Sequence, residues 1–540
     1  MRSWVGWIVL MTFVWGPLQA SGQNETLVLE GGTLIDGTGR TPLGNPVVVI
    51  EGGRIKAVGT KGQVTYSQNA RVINTDGRTI LPGLIDSHIH LRDWMPQMFL
   101  RYGVTTVADT NNHKDWILLQ REAWNSGKIK GPRLFVTGMA VAGPTYSPDD
   151  THFPVNTAEE ARAFVKNAVD AGVDMIKVDH LPLEQLKAVM EEASKNGVTV
   201  VGHSYNIRKA AQVGLKFMEH AEPLVNAILE EMGPEKLSAA AGEENPENLM
   251  HLLDTGLYDP LIQLMVKQGV FINPTFVGRW RFASPRGQEW VKAAGEIIKD
   301  PALAFVPSDI RQSWTRVPRS NPGSEGLKKI EEFTRKYAEA GGKVVAGTDA
   351  GYIPGLSLNY EMQMIADAGV PPMKVIMSAT KWAAEVMGKD KDLGTVEPGK
   401  LADITVIEGD PLADIAAAQN VRMVIKDGKV VDTSYDPMFR NPVPRPVELH
   451  PTLSALNPRI ATQGSPNVTL QIEGRSFNPK SVVRFDNADL PTQFVSNTKL
   501  TATVASRLLQ NLGAYAVYVV NSGSGGGVSD AIYFLVNFKD

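Results

Sequence analysis

Cysteine is absent from all 540 residues. Disulfides, thiolate zinc sites and cysteine nucleophiles are thereby excluded, so any metal must be held by histidine, carboxylate or modified lysine. Net charge is nearly absent as well: 54 Lys plus Arg stand against 58 Asp plus Glu, a formal −4. That balance gives no electrostatic case for nucleic acid or an anionic membrane surface. Long apolar runs are missing except at the start, MRSWVGWIVLMTFVWGPLQASGQ. There one Arg precedes an apolar run shorter than the roughly 20 residues a membrane span needs. Pro17 and the small residues Ala20, Ser21 and Gly22 follow it. This is the form of a signal peptide over residues 1–22, with an uncleaved anchor as the alternative. The expectation is an exported bacterial protein, periplasmic or extracellular, with no membrane span once the signal is removed. Histidine is scarce, with nine in the chain, so its placement carries information.

What is present is ordinary for a soluble globular protein: 43% hydrophobic and 21% charged residues. The length exceeds one core and predicts several domains. Residues 27–80 read as short strands separated by turns (TLVLEGGTLIDGTG, PVVVIEGGRIKAVG), and residues 395–434 repeat that style in GKLADITVIEGD and VRMVIKDGKVVD. The two pieces suggest one small β-sandwich built from both flanks of a different middle. That middle, residues 81–394, alternates apolar strand-like runs with helical stretches such as LEQLKAVMEEASKN and GLKKIEEFTRKYAEAG. Eight runs are countable: GLIDSHIH, VTTVAD, RLFVTG, DMIKV, VTVVGH, LKFMEH, VFINPT and KVVAGTD. Eight such units over about 270 residues predict an α/β fold, a (β/α)₈ TIM barrel. Residues 221–268 and 276–342 are longer than barrel loops need and are candidates for a lid. YDPMFRNPVPRPVE, residues 435–448, reads as a semi-rigid Pro-rich linker. Beyond it, residues 449–540 hold five strand-like runs, which predict an Ig-like β-sandwich of about 90 residues.

The chemistry concentrates at strand ends. His88 and His90 lie two apart in GLIDSHIH, and side chains two apart in a strand share one face. His203 ends the fifth run, His220 the sixth and Asp349 the eighth, while Lys177 sits in the fourth. In a barrel all of these fall on the C-terminal rim, where active sites are built from several strands. Taken singly each has a plainer explanation: a hydrogen-bonded structural histidine, an Asp capping the next helix, a Lys paired with Asp174 or Asp179. Six ligand-type residues gathered on one rim argue for a shared purpose. The remaining histidines (His113, His152, His180, His251 and His450) show no such placement and read as structural, with His152 alone near enough to the rim to touch a substrate.

The set of HxH, strand-four Lys, His, His and Asp resembles the amidohydrolase superfamily, in particular its imidazolonepropionase-like and Xaa-Pro dipeptidase (prolidase)-like branch. The phrases LPGLIDSHIH, GPRLFVTG, DMIKV, FMEHA, AGTDAG and LGTVEPGKLADITVI carry it, and it covers about residues 27–435, with no departure at a ligand position. VTLQIEGRSF and YAVYVVNSGSGGGVSD resemble an IPT/TIG domain. The family likeness implies two divalent metal ions, zinc being favoured by an N/O ligand set without sulfur. By that likeness His88, His90 and Asp349 bind one ion, His203 and His220 bind the second, and Lys177 bridges them as a CO₂-derived carbamate. A lysine ammonium has donors only and cannot ligate a cation, which is why the modification is implied. The implied reaction is hydrolysis of an amide bond by a metal-bridging hydroxide, with Asp349 as general base and then acid.

The substrate class implied is a small molecule or dipeptide, such as Xaa-Pro or an N-acyl amino acid. Tyr205, two residues after His203, resembles a substrate-contacting tyrosine of prolidase-like relatives. Arg279 and Arg281 follow the seventh strand and are candidates for holding a carboxylate by paired hydrogen bonds, the alternative being solvated loop charges. Competing functions are a deaminase of the same superfamily, lactone or phosphotriester hydrolysis on the same metal pair, and a non-catalytic exported binding module. The strand-four Lys argues against the deaminase, and the complete ligand set against the binding module. A homo-oligomer is compatible with all of these, and no residue names a partner for the terminal sandwich.

Overall fold

Eight short parallel strands carry the middle of the chain: Leu84–Ile89, Val104–Asp109, Arg133–Val136, Met175–Asp179, Thr199–Gly202, Phe217–Glu219, Phe271–Asn273 and Lys343–Val344. These observations come from a computed structural model that describes residues 26–146, 151–240, 243, 245–316, 323–349, 352–443, 451–486, 488–521 and 527–538. The expected signal peptide, residues 1–22, lies outside the described residues. Several of these strands are buried along their whole length, as in VTTVAD and MIKVD. Full burial is expected where helices cover a parallel sheet. The covering helices include Lys114–Asn125, Ala158–Asp170, Leu183–Lys195 and Leu356–Asp367. The second of these starts with a capping box, Thr157 and Glu160 satisfying each other's backbone N–H.

The strands pair in three parallel arcs, not in one continuous eight-stranded ladder. Backbone bonds bridge two of the gaps, among them Asp174 N–H to Val136 O at 2.8 Å and Ser87 N–H to Ala346 O at 3.2 Å. The last strand is also shorter than KVVAGTD suggests, ending at Val344. Its continuation leaves the ladder because Thr348 and Asp349 both donate their N–H to His88 O, at 3.1 and 2.9 Å. That pair of bonds draws Asp349 to the end of the first strand.

Residues from the two chain flanks share one sheet: Ile404–Glu408 runs antiparallel to Arg78–Pro82. A second sheet, Arg54–Thr60, Pro46–Glu51, Leu27–Glu30 and Arg71–Asn74, packs with it through Leu29, Val48, Ile50, Ile80, Ile404 and Val406. The long excursions hold helices whose apolar faces enter the main core, through Leu224, Ile228, Leu261, Trp280, Trp290 and Phe333. The candidate lid is therefore part of the wall.

The expected linker is likewise docked over its first part. Trp116 Nε1 and Gln120 Nε2 donate to Val443 O at 3.0 and 2.5 Å, and Tyr435 and Phe439 pack edge-on against Phe305. Residues 444–450 lie outside the described residues. From Thr452 onward two largely antiparallel sheets enclose one core of Leu470, Ile472, Val483, Phe485, Leu500, Val517, Val519 and Phe534. Among the described residues no helix is long and apolar enough to cross a membrane.

Candidate metal centre

The ends of the eight strands bring four imidazoles into contact. Ring centroids lie 5.2 Å apart for His88 and His90, 5.4 Å for His88 and His220, and 4.9 Å for His203 and His220. His88 Nε2 is 3.4 Å from His90 Nε2, and Asp349 Oδ1 lies 3.7 Å from the first and 3.1 Å from the second. Their ligand atoms thus converge within 4.8 Å of one another. Lys177, as the unmodified side chain, forms an ion pair with Glu219, and its Nζ is 3.4 Å from His203 Nε2.

The backbone is bent to achieve this. Four of the eight non-glycine residues with positive φ among the described residues lie on this rim: His180 (47°), His220 (59°), Thr275 (47°) and Asp349 (55°). Left-handed backbone is costly for such residues, β-branched Thr above all, and is retained where surrounding structure holds it for a purpose.

Each ring also has a contact on its Nδ1 edge. His90 Nδ1 lies 3.3 Å from Asn111 O, His203 Nδ1 3.1 Å from Asp179 Oδ1, and His220 Nδ1 2.6 Å from Thr275 Oγ1. His88 Nδ1 faces Glu219 Oε1 at 3.5 Å. Partners of this kind fix a ring's orientation and leave Nε2 free as a ligand.

The four imidazoles differ in charge tendency: burial is outweighed by Asp349 at His90 and by Asp179 and Glu219 at His203, which are raised, whereas the other two are lowered. Burial, aided by Lys177 and His90, holds His88 well below the usual imidazole range, so it is neutral and able to ligate. Burial and the neighbouring His203 lower His220 in the same way. Burial disfavours the ionised form of Asp349, but the hydrogen bond to His90 and the imidazoles that surround it outweigh that effect and hold the carboxyl well below its ordinary value. Asp349 is also the open carboxylate of the group: its side chain is 37% exposed, against 6% for Asp179 and 0% for Glu219.

A cavity of about 280 Å³ opens over Asp349 and His220, lined by Glu222, Glu247, Thr275 and Arg279. Arg279 thus faces the site, with its Nε bonded at 2.6 Å to the buried Glu247. Arg281 does not line that cavity. Its guanidinium lies over the rings of Phe282 and Tyr352 and donates to Val277 O and Gly278 O, which makes it a clamp on the turn after the seventh strand. Tyr205 is 46% exposed and rests against His180 at 4.8 Å.

Sequence reasoning missed several participants. Glu219 stands beside His220, where strand alternation would turn it away; the signal was the acid in FMEH, and the positive φ of His220 explains why both converge. Asp179 accepts from Tyr146 and contacts His152, His180 and His203. His152 and His180, read as structural, belong to that rim cluster. Glu247 comes from an excursion and Thr275 ends the seventh run, VFINPT; neither position carries a chemical signature.

The amidohydrolase family model matches residues 79–431, well over half of the chain. This chain belongs to the amidohydrolase family. It is 23% identical over 426 residues to an imidazolonepropionase of Symbiobacterium thermophilum, covering 74% of this chain and 88% of that one. An enamidase of Eubacterium barkeri is 25% identical over 438 residues, 76% of this chain and 96% of the enamidase. Among solved structures, a Xaa-Pro dipeptidase with bound methionine superposes with a TM-score of 0.54 at 24% identity, covering 76% and 100% of the two chains. Molinate hydrolase gives 0.55 at 22% identity, covering 76% and 95%. These structural likenesses show the fold. As an amidohydrolase-family enzyme the chain is a metal-dependent hydrolase.

Proposed function

We propose that this protein is an exported, binuclear metal-dependent hydrolase of amide C–N bonds, acting on small substrates such as Xaa-Pro dipeptides or N-acyl amino acids. The observation that carries the reading is a chain of four imidazoles in ring contact, with Asp349 converging on His88 and His90, and each ring contacted along its Nδ1 edge. His88, His90 and Asp349 would hold one ion, His203 and His220 the other, and Lys177 as a carbamate would bridge them. The donors fit that role: all are N or O, and two of the rings are kept neutral by burial. Such a set suits zinc. Divalent ions supply Lewis-acid polarisation of a carbonyl and an activated water near neutral pH.

The chain's own residues then have definite tasks. Asp349, ionised and open to the cavity, accepts the proton of the attacking water and returns it to the leaving nitrogen. Arg279 faces that cavity and is placed to bind a substrate carboxylate, while Tyr205, exposed beside His180 on the same rim, contacts the other end. Arg281 is assigned the clamp described above. The three arcs are taken as segments of one closed (β/α)₈ barrel, and the terminal sheets as an Ig-like domain of IPT/TIG type. The enamidase and the Xaa-Pro dipeptidase among the relatives support C–N hydrolysis, and the N-terminal segment supports export.

The test is a metal count on purified protein beside a panel of Xaa-Pro dipeptides and N-acyl amino acids. Two ions per chain and release of an amino acid, abolished by Lys177→Ala, are expected. One ion or none, with the whole panel untouched, sinks this mechanism and turns attention to deamination.

A further inference from the structure

We infer that Glu219 is a positioning residue of the metal centre: its buried carboxylate orients His88 through Nδ1 from beneath the ligand cluster. The inference rests on the two-metal reading above. Glu219 is fully buried at the end of the sixth strand. Its neighbour His220 takes the left-handed conformation, and this break in alternation lets adjacent side chains enter the same interior. Oε2 pairs with Lys177 Nζ and lies 3.2 Å from His203 Nε2, while Oε1 lies 3.5 Å from His88 Nδ1.

Two roles are open to a carboxylate so placed, ligand or support. The ligand atoms of His88, Glu219 and His220 do fall within 4.8 Å of one another. His88, however, already turns Nε2 toward His90 and Asp349. An imidazole using Nε2 as a ligand carries its proton on Nδ1, and that proton needs an acceptor in the interior. Neither His88 Nδ1 nor Glu219 Oε1 has a hydrogen-bond partner elsewhere. A shift of a few tenths of an ångström completes the bond, and His88 then has what Asn111, Asp179 and Thr275 give the other three rings. Before any carbamate forms, the same carboxylate is also the counter-ion of the unmodified, fully buried Lys177 ammonium.

The decisive measurement is metal stoichiometry and affinity, by elemental analysis and competition with a chromophoric chelator, together with the visible spectrum of the cobalt-loaded protein. Glu219→Gln should still take up two ions but bind the tighter one about 10–100-fold more weakly, with a shifted cobalt spectrum; Glu219→Asp should recover part of the loss. Because Glu219→Gln strands a buried lysine and risks misfolding, Lys177→Met is compared with Glu219→Gln/Lys177→Met. The same weakening should separate those two. Unchanged affinity and spectrum in both comparisons overturn the proposal. A count falling by one ion on loss of Glu219 also overturns it, making Glu219 a ligand. Wild-type protein that binds no metal overturns this inference and the two-metal reading together, whereas metal-loaded wild type with unaltered variants overturns this inference alone.

Discussion

At the scale of single residues, burial decides what each titratable group can do. Asp349 is ionised and open to the cavity, so Asp349→Asn should lower kcat by about 10²–10⁴-fold, read on whichever amide the panel identifies. Glu361 is the opposite case. It is fully buried, and its two oxygens accept from Phe276 and Val277 N–H at 3.0 and 2.7 Å, fixing the turn after the seventh strand. Burial, which outweighs those bonds, pushes its carboxyl up to about 8, with the nearby Asp86 adding to the rise. The folded protein then holds a proton that the unfolded chain has released above the ordinary carboxylate range. Stability from this group is full below about pH 4.5 and declines as pH rises toward 8. Glu361→Gln should flatten the fall in melting temperature between pH 5 and 8; an unchanged slope would show that the carboxyl does not titrate there.

The next scale is that of elements, where polar ties hold segments onto the barrel-type body. Asn441 donates to Asp93 O at 2.8 Å and to Gln120 Oε1 at 3.2 Å, and accepts from Val443 N–H at 2.9 Å. Asn441→Ala should destabilise the protein by about 1–3 kcal/mol, measured by denaturant unfolding, without altering the metal count. Proline content had made 435–448 look like a spacer; what overrode it was aromatic burial against Phe305 and hydrogen bonds from a helix over 300 residues earlier in the chain. Such ties cannot be read locally, since each partner is unremarkable alone. The eight strand runs, in contrast, were legible because each apolar stretch alternates with a helical one. Their lengths were not legible: KVVAGTD departs from its ladder because His88 O captures two of its N–H groups.

For the whole molecule, two separate cores set the expectation for unfolding. The residues packed between the terminal sheets all lie between Leu453 and Val536, and none belongs to the main core. Calorimetry of the intact chain should show two transitions, and a chain ended at Val443 should lose one while keeping its metal. A single merged transition would mean the units unfold as one. Chelation should lower only the transition of the larger unit, by mass action of a ligand bound to the native state.

Residue chemistry along the chain already narrowed the candidate donors, because without cysteine only His, carboxylate and modified Lys remain to hold a metal, and a period of two put His88 and His90 on one face. The family followed from those phrases. Only the tertiary structure decided the supporting cast. Glu219 and Thr275 reach the site because left-handed backbone at His220 and at Thr275 itself breaks the alternation from which sequence reading works. Arg279 and Arg281 parted company because a buried acid, Glu247, awaited one and aromatic rings the other. Periodicity governs which way a side chain leaves a regular strand. Where strands end, packing partners distant in sequence choose the direction.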